Sequence, residues 1–124
     1  MDGNDARLVA GERFTPKFDR AGLLCAIAVD VADDAILMVA YMDQEALAAT
    51  RDTGVAHFHS RSRQALWKKG ETSGNVLHVV EILVDCDQDA LIFRCRPAGP
   101  ACHTGARSCF FRRLDGNTLQ PVKS

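Results

Sequence analysis

The 124-residue chain is short of aromatic residues, with a single Trp and a single Tyr, and it carries no excess of either charge. Fifteen basic residues stand against sixteen acidic ones, a formal net charge of −1. A polycationic surface of the kind that grips a phosphate backbone is therefore missing, and no nucleic-acid partner is expected. Long apolar runs are missing too. The strongly apolar stretch Leu23 to Val29 is seven residues, against the roughly 20 that cross a bilayer, so no transmembrane helix and no membrane partner is expected. Met1 to Arg20 interleaves Asp2, Asp5, Arg7, Glu12, Arg13, Lys17 and Asp19 without an apolar stretch. A secretory signal is not expected there, and a cytoplasmic location is. No C-x-x-C pair exists, and the five cysteines, Cys25, Cys86, Cys95, Cys102 and Cys109, form an odd set. That argues against a disulfide framework and for reduced thiols, either buried or metal-ligating.

What remains is the composition of a single globular domain, 47% hydrophobic and 25% charged. A chain of this size buries about 65–70% of its unfolded surface, enough for a core but too little to enclose a large substrate, so a second subunit is expected to supply a wall. Leu23 to Asp30 and Ala35 to Met42 read as two strands of a hairpin around Val31 to Asp34. Asp43 stands at an N-cap position before the helix formers Gln44 to Asp52, with Gly54 placed to end the helix. Val55 to His59 reads as a strand, Ser60 to Arg63 as its end, and Gly70 to Gly74 as a loop. Val76 to Val84 is apolar on both parities, which predicts a central strand buried on both faces. Ala90 to Arg96 and Ser108 to Leu114 read as the last two strands, joined by a loop over Pro97 to Gly105 and followed by a polar tail after Asp115-Gly116. Strands outnumber helices without βαβα alternation, so the expected class is α+β, a mostly antiparallel sheet with one or two short helices.

The sharpest chemical feature is Asp85-Cys86-Asp87-Gln88-Asp89. In extended backbone, residues i, i+2 and i+4 share a face, so Asp85, Asp87 and Asp89 are expected to converge while Cys86 projects the other way. Oxygen-only donors suit a hard cation such as Mg²⁺, although acidic turns without one are common. An EF-hand is excluded: Ala90 replaces the glycine, and Arg96 stands where the twelfth-position glutamate should be. Cys86, Cys102 with His103, and Cys109 supply soft donors that suit zinc, with buried inert thiols as the plain alternative. Cys25 and Cys95 sit inside apolar strands and read as core. His57 and His59 share one side of a strand, where a histidine is either a proton carrier or a satisfied polar residue; His78 reads as structural. Trp67 to Asn75 combines lysines, hydroxyls and glycines in a way that suits a phosphate or ribose, or simply a solvated loop. It lacks the P-loop order.

Five blocks taken together resemble the phosphoribosyl-AMP cyclohydrolases. They are Ala40-Tyr41-Met42-Asp43 with Glu45-Ala46-Leu47, Ser60-Arg61-Ser62-Arg63, Leu66-Trp67 with Lys69 to Asn75, Asp85-Cys86-Asp87 with Asp89, and Gly99 to Gly105. The resemblance runs over about residues 18–114, and implies an N-terminal extension over 1–17, a catalytic domain over 18–114 and a tail over 115–124. It implies hydrolysis of the N1–C6 bond of phosphoribosyl-AMP, a step of histidine biosynthesis, by zinc-activated water. Family zinc ligands fall on Cys86, Cys102 and Cys109, and magnesium ligands on Asp85, Asp87 and Asp89. The implied enzyme is an intertwined homodimer, with Cys86 from one chain meeting Cys102 and Cys109 of the other. His57 or His103 is then expected to move the proton, and Arg61, Arg63, Trp67, Lys69, Thr72 and Ser73 to contact phosphate, ribose or base. A zinc nucleobase deaminase is disfavoured, since H-x-E and P-C-x-x-C are both absent. The non-enzymatic alternative is a dimeric module in which a four-coordinate zinc only staples two chains.

Overall fold

The structure, a computed structural model, describes residues 11–122. Its main sheet has four strands in the order β2-β1-β6-β5: β1 (Leu24–Asp30), β2 (Ile36–Met42), β5 (Leu77–Val84) and β6 (Ala90–Pro97). β1 and β2 form the expected antiparallel hairpin, and β5 and β6 form a second one. The two hairpins join through the parallel pair β1–β6, with Cys25 opposite Ala90 and Asp30 opposite Cys95. The class is α+β, as expected. Between the hairpins lie the helix α1 (Gln44–Thr53) and a two-stranded ribbon of β3 (His57–Ser60) and β4 (Ala65–Lys68). Among the described residues no helix is long and apolar enough to cross a membrane.

Alternation builds the core. Leu24, Ala26 and Ala28 of β1 and Leu91, Phe93 and Cys95 of β6 point to one face and are buried, while the residues between them are half-exposed. Ala46 and Leu47 of α1, and Phe58 of β3, close over that face. Phe58 stacks on Phe93 at 6.1 Å between centroids and meets Trp67 at 5.6 Å. Each large side chain fully withdrawn from water contributes about 2 kcal/mol. The helix starts where Asp43 Oδ1 accepts from the Ala46 amide at 2.9 Å, and it stops at Gly54, whose φ of 76° is left-handed.

Three expectations fail, each for a local reason. β5 is an edge strand, not a central one. A bulge between Val79 and Glu81 changes its parity, so Leu77, Val79 and Ile82 pack inward, while Val80, Leu83 and Val84 stay more than 40% exposed. Residues 54–56 pair with only its first turns, through Ala56 N–H to Leu77 O and Val79 N–H to Gly54 O. The last strand also starts later than predicted. Ser108 and Cys109 instead bind the open edge of β2, and the chain then forms a hairpin of β7 (Arg112–Asp115) and β8 (Thr118–Pro121) around Gly116. The supposed polar tail is thus half a ribbon, and a boundary at residue 114 falls inside β7. Third, residues 85–89 form the turn between β5 and β6 rather than extended chain.

Candidate metal-binding site

The acidic turn converges its carboxylates by turning back on itself. Asp85 Oδ1 accepts from the amides of Asp89 at 2.9 Å and Ala90 at 3.1 Å, and Gln88 takes a left-handed φ of 62° to close the loop. Oxygens of Asp85, Asp87 and Asp89 then lie within 4.8 Å of one another, the spacing one cation can bridge. The crowding has an electrostatic signature: hydrogen bonding to Asp85 and then Asp87 pushes the Asp89 carboxyl up to about 6. For Asp85, desolvation acts upward but is outweighed by hydrogen bonds from Asp89 and from the Ala90 and Asp89 amides, leaving it below its usual range. A divalent cation bound there would neutralise the crowded carboxylates and displace any proton held on Asp89. Gln88 also ties down the N-terminal arm. Its side chain accepts from the Thr15 amide, and its carbonyl accepts from the Lys17 amide at 2.8 Å. Lys17, Phe18, Cys25 and Tyr41 join Asp87 and Asp89 around a cavity of about 460 Å³.

The thiol loop follows β6. Cys102 is buried and Cys109 is exposed, yet the two thiols are near enough to shift one another's ionisation. The Thr104 hydroxyl donates to Cys102 Sγ at 3.1 Å. That bond, followed by the Thr104 amide, pulls the Cys102 thiol below its ordinary value, and Cys109 and the Lys69 charge act in the same direction. Cys109 is pushed up, first by desolvation and then by Cys102. One thiol poised to ionise beside a second is a donor pair suited to a soft cation. Lys69, expected as a substrate contact on a loop, is buried, its amide bonded to Ala56 O at 3.1 Å and its charge felt by both thiols.

The remaining candidates spread around these two sets. His57 is buried, and its Nδ1 donates to Val55 O at 2.8 Å, which leaves Nε2 as the free acceptor. His103 is exposed next to Cys102. His59 is half-buried, and its Nδ1, 3.3 Å from Asp43 Oδ2, is a buried atom without an aligned hydrogen bond among the described residues. Arg61 lies over the Tyr41 ring at 4.3 Å, and Arg63 donates to Ser60 Oγ at 3.4 Å. Thr72 and Ser73 lie on an exposed turn, where Ser73 Oγ accepts from the Asn75 amide at 3.1 Å. Trp67 packs its ring at the edge of the core. Cys95 is fully buried, as expected, while Cys25 is only half-buried and faces the cavity beside the acidic turn. His78 is exposed. Thr104, Gln88 and Arg107 escaped the sequence reading, although Thr104 sits two residues after Cys102, the spacing of a local hydroxyl contact.

Cys86 does not join the other two thiols. It precedes β6 and lines a surface cleft with Arg13, Phe14 and Val84, whereas Cys102 follows β6. Eight residues of extended strand lie between the ends, about 26 Å. Cys109 is further fixed at the start of β2, on the opposite edge of the sheet, through its amide to Leu37 O at 2.7 Å. The three cysteines cannot ligate one ion within one chain.

These features define the class: a small α+β domain with a hard-donor turn at one end of its sheet and a soft-donor loop at the other. The chain belongs to the phosphoribosyl-AMP cyclohydrolase family, whose model matches residues 38–111, a stretch holding both donor sets. A phosphoribosyl-AMP cyclohydrolase of Sphingopyxis alaskensis is 64% identical over 106 residues, covering 86% of this chain and 84% of that protein. The Erythrobacter litoralis protein of the same name is 61% identical over 115 residues, covering 93% and 92%. One of Rhizorhabdus wittichii is 59% identical over 111 residues, covering 88% and 90%.

Proposed function

We propose that this protein hydrolyses the N1–C6 bond of 1-(5-phosphoribosyl)-AMP, opening the adenine ring to the formimino-aminoimidazole carboxamide ribotide in histidine biosynthesis, in the cytoplasm. The observation that carries this is the family match, which spans the acidic turn and the thiol loop together. Zinc is assigned to Cys86 of one protomer with Cys102 and Cys109 of its partner, and Mg²⁺ to Asp85, Asp87 and Asp89. The separation of Cys86 from the thiol pair supports a shared site, and the edge strand β5, with Val80, Leu83 and Val84 exposed, gives a second copy apolar surface to cover. Zinc, when bound, supplies the Lewis acidity that makes water a nucleophile at neutral pH.

The chain's own groups do the rest. His57, with Nδ1 committed to Val55 O, offers Nε2 as a proton acceptor, and His103 stands exposed beside Cys102 as the other candidate carrier. Lys69 adds positive charge where the thiols and a developing oxyanion need it. Arg61, Arg63, Thr72 and Ser73 are exposed and polar, suited to phosphate and ribose, with Trp67 alongside for the base. Mg²⁺ at the acidic turn gives the phosphates a counter-charge. The test is phosphoribosyl-AMP turnover, followed by the ultraviolet change on ring opening, before chelation, after it, and with each metal restored. Turnover lost on chelation and recovered with metal is expected. No turnover in a folded, zinc-loaded dimer refutes the enzyme and favours the stapled binding module.

A further inference from the structure

The loop from Ala98 to Phe111 carries the paired thiols but has no regular structure of its own. Its shape is set around one residue. The Arg107 carbonyl accepts from the Ala101 amide at 3.1 Å, and the neighbouring Ala106 carbonyl accepts from the Cys102 amide at 3.1 Å. The Arg107 side chain turns the other way, to the β1–β2 turn. There Nη2 lies 2.9 Å from Asp30 Oδ2 and 2.8 Å from Asp33 Oδ1. Asp30 is largely buried, and its Oδ1 already accepts from the Ala32 amide at 2.9 Å, so its carboxylate is part of the turn that the loop reaches. The guanidinium bond also holds the Asp33 carboxyl below its usual range.

The two cysteines are secured differently. Cys109 has its own bond to the sheet, through its amide to Leu37 O at 2.7 Å, reinforced by the Ser108 hydroxyl on Ile36 O at 2.6 Å. Cys102 has no such bond; its backbone is tied to Ala106, beside Arg107. We infer that Arg107 is a positioning residue for the soft-donor site, its guanidinium fixing the Cys102 arm of the loop to the β1–β2 turn so that the Cys102 thiol is kept beside that of Cys109. This rests on the reading that these thiols bind zinc. A loop ordered in advance loses less freedom when the ion arrives, and partners of this outer kind typically govern about 10–100-fold in metal affinity.

The test is zinc competition between the purified protein and a chromophoric chelator, for the parent, Arg107→Ala, Arg107→Lys and Asp33→Asn, with urea midpoints recorded on the zinc-free forms. Arg107→Ala is expected to bind zinc about tenfold more weakly or worse. Arg107→Lys keeps a charge near the carboxylates but loses the planar fork, and is expected to recover part of the affinity lost in Arg107→Ala, as is Asp33→Asn. Rescue by lysine separates positioning from general loss of stability. Parent-like zinc affinity in Arg107→Ala overturns the inference; if that variant does not fold, because Asp30 is left buried without a cation, unchanged affinity in Asp33→Asn does so. A parent that takes up no zinc removes the zinc site and the inference with it, and the parent arm alone identifies that outcome.

Discussion

If each zinc site combines Cys86 of one protomer with Cys102 and Cys109 of the other, two inactive variants should repair one another. Cys86→Ala and Cys102→Ser are each expected to lose zinc and turnover as homodimers. In a mixed dimer one site has lost both residues, while the other draws Cys86 from the Cys102→Ser chain and the thiol pair from the Cys86→Ala chain. It is intact. Random reassociation makes half the dimers mixed, each with one good site of two, so zinc content and turnover should return to about a quarter of the parent value. The magnitude rests on distance. β6 alone spans about 26 Å between the turn holding Cys86 and the loop holding Cys102, whereas two sulfurs on one zinc, each about 2.3 Å from it, are less than about 5 Å apart. No loop adjustment within a chain closes that gap. The assay is co-refolding from denaturant at equal concentrations, then turnover and zinc by atomic absorption, with each variant refolded alone as control. Activity no higher than the controls, in a mixture shown by mass spectrometry to contain mixed dimers, refutes the shared site.

Further outcomes follow from other residues. Asp87→Asn removes a charge from the acidic turn and should raise the Mg²⁺ concentration for half-maximal turnover by about tenfold while leaving zinc content unchanged; an unchanged Mg²⁺ requirement removes the assignment. Gly70→Ala should cost about 1–3 kcal/mol in urea unfolding, since φ is +85° and the new Cβ would sit 2.5 Å from the Asn75 carbonyl carbon. A parent-like midpoint would show that the backbone there gives way. Burial, with the Asp30 charge second, pushes the Cys95 thiol up to about 12. The unfolded thiol ionises near 9, so between about pH 9 and 12 the unfolded state holds fewer protons and stability falls as pH rises, by up to about 1.4 kcal/mol per pH unit. Urea midpoints of Cys95→Ala should fall less steeply than those of the parent over that range, and parallel curves would contradict the burial argument.

The helix and the first hairpin were legible because their signals are local. Asp43 and Gly54 cap α1 through their own side chain and dihedral, and β1 alternates in and out with period two. The convergence of Asp85, Asp87 and Asp89 was legible as an outcome but not as a geometry, since a single left-handed residue, Gln88, replaces the extended pleat. β5 misled because a sequence records that both faces are apolar without recording which of them the chain covers itself; the bulge at Val79 to Glu81 decided it. The partners of Lys69 and Arg107 were not legible. Asp30 is 77 residues from Arg107 in the chain, and nothing local to either residue announces the pair.

Taken as physics, the two ends of this sheet have opposite needs. Carboxylates crowded in the β5–β6 turn share hydrogen bonds that raise the Asp89 carboxyl, with their mutual repulsion adding to the rise, and a thiol pair with one member held below its ordinary value is an incomplete ligand set. The parallel pairing of β1 with β6 keeps the two at opposite ends, because β6 must run its full eight residues from the acidic turn to the thiol loop. A lone chain therefore cannot complete its soft-donor set with Cys86, and its exposed Val80, Leu83 and Val84 remain in water. A two-fold, antiparallel arrangement of two copies would answer both needs at once, bringing the acidic turn and Cys86 of each to the thiol loop of the other. On that reading, metal binding and assembly are one equilibrium: chelating zinc should lower the concentration-dependent stability of the dimer, and Cys102→Ser should weaken the dimer as it loses zinc. Sedimentation that shows an unchanged dimer in the zinc-free variant would separate the two and leave the exposed apolar side chains of β5 to hold the copies together alone.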